Sequence, residues 1–101
     1  MYLIQILLPL AGNDGRPLPQ AIHEQVKREL TGQFKGLTAY SRSPAEGLWK
    51  PRKNLRRDDI VVYEVMSSAL GKTWWRKYRK HLEKLFHQQT VIIRAQQTSV
   101  L

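Results

Sequence analysis

The chain contains no cysteine, so it can form neither a disulfide nor a thiolate metal site, which fits a reducing compartment and makes the cytoplasm the expected location. No window approaches the ~20 apolar residues that a membrane-spanning helix needs. Met1 to Leu10 lacks a cationic start, carries Gln5 within it and has no small-x-small site after its short apolar stretch, so it reads as a strand and not as a secretion signal. Neither a G-x-S-x-G elbow nor a phosphate-cradling glycine loop is present, and Gly12-Asn13-Asp14-Gly15 is a turn. The histidines His23, His81 and His87 make no H-x-x-x-H step and have no carboxylate at ligand spacing, so neither a metal nor another cofactor is expected, and His81 reads as a packed side chain.

The scarcest commodity is negative charge. Eight Asp and Glu face seventeen Lys and Arg, for a formal charge of +9 and a pI near 10.3. Such an excess attracts polyanions, nucleic acid or anionic lipid heads, without specifying one.

What is present reads as one α+β domain over residues 1–101, long enough for a single modest core. Tyr2 to Leu8 is nearly continuous apolar sequence, as a central strand would be, and Pro9 ends it. Pro19 suits the first position of a helix, and over Gln20–Phe34 the residues Ile22, Val26, Leu30 and Phe34 form one apolar stripe, with Glu24 and Arg28 as an i,i+4 pair and Gly36 as the stop. Leu37 to Arg42 alternates as an outer strand does. A long basic loop at 43–57 follows, a length that marks a segment as functional or disordered. Asp59 to Met66 is a β-branched strand; the Ser67–Gly71 turn leads to a second helix, Lys72–Phe86, with Thr73 as a weak cap. On that helix Trp74, Trp75, Tyr78, His81, Leu82, Leu85 and Phe86 share one arc, with Lys72, Arg76, Lys77, Arg79, Lys80 and Lys84 around the rest. Two adjacent tryptophans cannot both point straight inward at ~100° separation, so one is expected at the rim, near Trp49. Thr90 to Ala95 is a fourth strand, with a tail beginning at 96–97. The order β-α-β-β-α-β is that of a ferredoxin-like sandwich, a four-stranded antiparallel sheet with two helices on one face.

The stretches Leu37 to Trp49, Arg57-Asp58-Asp59-Ile60-Val61-Val62 and Trp74-Trp75-Arg76-Lys77-Tyr78-Arg79 resemble a family of small bacterial proteins with a ferredoxin-like layout and no assigned activity. The resemblance covers nearly the whole chain. It implies a fold and a bacterial setting, and it carries over no catalytic residue.

Two candidate sites follow. The first is basic: eleven of the seventeen cations lie in the Lys50, Arg52, Lys53, Arg56, Arg57 loop and in the second helix, where Arg76, Lys77, Lys80 and Lys84 are the expected phosphate contacts of a non-catalytic module for an anionic partner, nucleic acid first. The aromatic ribonucleoprotein motif is absent from the third strand, and Tyr63 is expected in the core. The second candidate arises from strand parity, which puts Ile4, Ile6, Leu8, Val61, Tyr63, Val65, Val91 and Ile93 on one sheet face and Leu3, Gln5, Leu7, Ile60, Val62, Glu64, Met66, Ile92 and Arg94 on the other. Helices cover only one face, so a homodimer pairing sheet to sheet is expected, which light scattering would detect. Gln5, Glu64 and Arg94 would then be the polar groups of a pocket in a dimeric α/β-barrel-type small-molecule enzyme or carrier, the alternative to polyanion binding.

Overall fold

The computed structural model describes residues 1–42 and 59–101, with the backbone alone for 40–42; Trp49 and the loop cations Lys50, Arg52, Lys53, Arg56 and Arg57 lie outside the described residues. The order is β1 (Tyr2–Pro9), α1 (Gln20–Gln33), β2 (Thr38–Arg42), β3 (Ile60–Ser67), α2 (Lys72–Leu85) and β4 (Ile92–Gln97). The four strands make one antiparallel sheet in the order β2-β3-β1-β4. The most apolar strands, β1 and β3, therefore lie inside, where both their backbone edges are paired.

One face of the sheet holds the core. Ile4, Ile6 and Leu8 of β1 and Val61, Tyr63 and Val65 of β3 form a single buried cluster with Val26 and Leu30 of α1 and Trp75, Tyr78 and Leu82 of α2. Period-two alternation placed these strand residues together, and Tyr63 is a core residue at 1% exposure.

Several boundaries differ from the sequence expectation, each for a structural reason. The fourth strand is shifted two residues later, because Tyr2 and Leu3 at the start of β1 pair with Gln97 and Gln96; residues read as a tail complete the sheet. Val91 precedes that strand, buried, its N–H donated to Glu83 Oε2 at 3.1 Å. Gly36 does not stop α1. The helix ends when Phe34 turns to extended backbone at φ −124° and ψ 155°, which stacks its ring on Trp75 at 5.3 Å and sets it edge-on to Trp74 at 5.6 Å. Pro19 is the N-cap of α1, one position before the first helical residue. Thr73 does not cap α2; Gly71 is its N-cap, with no side-chain cap bond. The far end of α2 is closed by two back-bonds, His87 N–H to Lys84 O and Gln88 N–H to Glu83 O, with His87 at φ +52° in the left-handed position that glycine usually takes. Glu24 pairs with Lys27 at 3.4 Å, three residues on, and not with Arg28. In the first loop Gly15 at φ +80° provides the one left-handed glycine turn.

Candidate anion-binding surface and polar row

The basic candidate is built by α2. Fourteen residues long, it presents a rod of about 21 Å at 1.5 Å per residue. Trp75, Tyr78 and Leu82 anchor it in the core, and because successive residues turn by ~100° this fixes where the cations go. Arg76, Lys77, Lys80 and Lys84 fall within about 100° of arc on the side away from the sheet, and all four are exposed. Lys72 and Arg79 sit on one flank of that arc. The single acid of α2, Glu83, lies between the flank and the arc, 3.8 Å from Arg79 Nε. The structure thus brings the four helix cations singled out from sequence onto one exposed surface.

The polar row forms on the opposite side of the sheet. The registers pair Gln5 with Glu64 on one side and with Arg94 on the other, so three adjacent strands carry the three residues abreast. Gln5 Nε2 donates to Glu64 Oε1 at 2.6 Å, and Arg94 Nε donates to Gln5 Oε1 at 2.7 Å. The arrangement differs from a carboxylate against a guanidinium, since β1 lies between the two charges and the Gln5 amide links them. A depression of about 270 Å³ beside the row is lined by Leu3, Gln5, Arg94, Ala95 and Gln96; Glu64 is not among its lining residues. Aliphatic exposure on this face is concentrated at Met66 and Ile92, 43% and 54% exposed, whereas Val62 is fully buried.

Two clusters were not foreseen. Between the helices, Tyr78 O–H donates to Glu29 Oε1 at 3.0 Å and His81 Nε2 lies 3.0 and 3.1 Å from the two oxygens of the same carboxylate. Burial, then the Glu29 charge and its hydrogen bond, push the Tyr78 pKa far above the usual phenol range. His81 is accordingly a half-buried clamp on α1 and not simply a packed ring. The available signal was its place on the inner arc of α2, three residues from Tyr78; the partner lay across 52 residues of chain.

The second cluster centres on His23, 8% exposed. Its Nε2 faces Pro9 O at 3.1 Å and its Nδ1 faces the Tyr63 hydroxyl at 2.8 Å. A carbonyl only accepts, so Nε2 carries the proton and Nδ1 accepts from Tyr63. Burial lowers the His23 pKa, with Lys27 adding to the depression against the Pro9 bond and Glu24. Burial, with the Glu24 charge behind it, pushes the Tyr63 hydroxyl up to about 12. Both groups are neutral at pH 7.

Chemically, each of these clusters is held together by partners within the fold. Among the described residues no group of three His, Asp or Glu is placed to hold a metal ion, and no helix is long and apolar enough to cross a membrane. Compared with protein-family models, curated proteins and solved structures, the chain matches none.

Proposed function

We propose that this chain is a ferredoxin-like, non-catalytic binding module whose partner is a polyanion, nucleic acid being the leading candidate, and that the outer arc of α2 is its contact surface. The element order β-α-β-β-α-β with β1 and β3 central supports the layout. The observation that carries the function is the arc itself, since Arg76, Lys77, Lys80 and Lys84 are exposed on one side of a helix whose other side is fixed in the core. Such a surface neutralises phosphates and does not read bases. The polar row is weaker ground for a site, because Gln5 uses both ends of its amide to hold Glu64 and Arg94.

Fluorescence anisotropy with labelled single-stranded RNA, single-stranded DNA and duplex DNA tests this reading, each at low salt and near 0.15 M. Four contacted phosphates correspond to a slope of log affinity against log salt of about −3.6 on duplex DNA. Reversing Lys77, Lys80 and Lys84 to Glu is expected to weaken binding by about tenfold or more at low salt, while reversing Lys27 and Arg28 of α1 leaves it within about threefold. Equal binding by the α2 variant and the wild type, or no wild-type binding near 0.15 M salt, would sink the proposal.

A further inference from the structure

The flank of α2 and the edge of the sheet enclose a groove that the outer arc does not use. It holds about 290 Å³. Its floor is apolar, made by Ile4, Leu70, Trp75 and Ile93, and Lys72, Arg76 and Arg79 rise along its helix side. The opposite wall is the consecutive stretch Ile93-Arg94-Ala95 of β4. The Arg94 side chain leaves for the other face of the sheet, where its Nε reaches Gln5, so what β4 offers the groove at that position is main chain. β4 is the last strand of the sheet, and among the described residues nothing pairs with its outer edge.

We propose that this groove docks an extended, acidic segment of a protein partner, which pairs with β4 as a fifth strand. Three observations converge on that occupant. The free edge supplies alternating main-chain donors and acceptors, which an added strand satisfies and a phosphate backbone does not. Strand side chains alternate between faces, so inward residues of the added strand meet the Trp75 and Ile93 floor beneath Arg76 and Arg79, while outward residues lie beside Arg94. The added strand is therefore straddled by cations on both faces, and acids are favoured at both parities. A second copy of this chain fails the same criterion, because Ile92–Gln97 contains no acid and edge-to-edge pairing would set Arg94 and Arg79 against their own counterparts. Arg79 is held by Glu83 only at 3.8 Å, beyond hydrogen-bond length. The proposal is independent of polyanion binding on the outer arc, although Arg76 borders both surfaces.

A fluorescein-labelled eight-residue peptide of alternating valine and glutamate is the probe, beside the same peptide N-methylated at alternate amides. With the full chain labelled in ¹⁵N, saturable binding is expected to shift the amides of Ile92–Gln97 and to slow their hydrogen exchange by about tenfold or more. N-methylation removes strand pairing without removing charge, and is expected to weaken binding by about tenfold. Reversing Arg76 and Arg79 to Glu gives a comparable loss, with the far-ultraviolet circular dichroism spectrum serving as the folding control. Reversing Lys77, Lys80 and Lys84 leaves the peptide affinity within about twofold and weakens oligonucleotide binding by about tenfold or more, which separates this surface from the outer arc. Overturning results are an absence of saturable binding up to millimolar peptide, equal binding by the N-methylated peptide, or amide shifts confined to the outer arc of α2. Displacement of the peptide by an oligonucleotide that shifts the same β4 amides would also overturn it, by assigning the groove to the polyanion surface.

Discussion

The helices α1 and α2 are both fourteen residues long, and each buries three side chains: His23, Val26 and Leu30 in the first, Trp75, Tyr78 and Leu82 in the second. Toward solvent they diverge. α1 sets Glu24 and Glu29 against Lys27 and Arg28, with Glu24 and Lys27 paired at 3.4 Å, whereas α2 carries six cations and the one acid Glu83. Two helices packed into one core thus reach equivalent burial with different surface chemistries, one balanced and one cationic. Folding needs the inner arcs alone, so the cation density of α2 is a property the fold does not demand. At its first turn that density even opposes helix formation, since Lys72 places positive charge at the positive end of the helix dipole and no acid occupies that turn, whereas Lys84 in the last turn suits the dipole.

If the two helices are equal partners in packing, equal damage should follow from equal truncation. Leu30 and Leu82 are both fully buried, and replacing either by Ala removes the same methylenes and leaves a cavity, at a cost of about 2–5 kcal/mol. Urea unfolding of Leu30→Ala and Leu82→Ala is expected to give losses that agree within about 1 kcal/mol. A near-neutral Leu30→Ala beside a large Leu82→Ala would break the comparison and make α1 the peripheral helix.

Much of this arrangement is legible in the sequence, because it depends on local periodicity. The alternation in Asp59 to Met66 separated Val61, Tyr63 and Val65 from Val62 and Glu64, and the ~100° step of a helix separated the aromatic side of α2 from its cationic side. What escaped depended on partners distant in the chain. The limits of β4 are set by which residues of β1 need a ladder partner, and that drew Gln96 and Gln97 into the strand against their polarity. His23 was invisible because the step of four through Ile22 and Val26 skips it, and its partners, the Pro9 carbonyl and the hydroxyl of Tyr63 forty residues away, come from other elements. Parity found Gln5, Glu64 and Arg94 on one face but could not say that β1 stands between the two charges, since strand order is a fact of the sheet and not of any strand. The groove was hidden for the same reason: it exists because β4 is an edge and α2 leaves that edge uncovered.

The helices are joined by one carboxylate, so removing it should loosen them from each other and spare the core beneath. Glu29 accepts from Tyr78 and His81, and Glu29 and His81 sit partly in water, which moderates the cost. Glu29→Ala is expected to lose about 1–2 kcal/mol in urea unfolding, and Glu29→Gln, which keeps an acceptor oxygen, less than about 1 kcal/mol. A neutral Glu29→Ala would mean that the cluster follows from packing and does not clamp it.

The smallest effect distinguishes the helices by pH. Of the six side chains that anchor them, only His23 titrates near neutrality, and it is held neutral against Tyr63, Pro9 and the edge of Phe86, whose ring lies 5.1 Å away. Its pKa in the fold lies below the 6.5 of an unperturbed imidazole, chiefly through burial, with Lys27 adding to the depression and Glu24 opposing it. In the unfolded chain His23 takes up a proton near pH 6.5, whereas in the fold it resists one, so acid favours unfolding. The stability His23 supports is complete above that pH and declines as the pH falls below it, until the folded imidazole titrates as well. Other groups also titrate over this range, so the informative quantity is the stability difference between the wild type and His23→Gln, a neutral replacement that still donates and accepts. Urea unfolding at pH 7.5, 6.5 and 5.5 should show the wild type's advantage over His23→Gln shrinking as the pH drops. A difference that stays constant would show that His23 is not held neutral, and would remove the one respect in which α1, and not α2, is the helix that acid loosens.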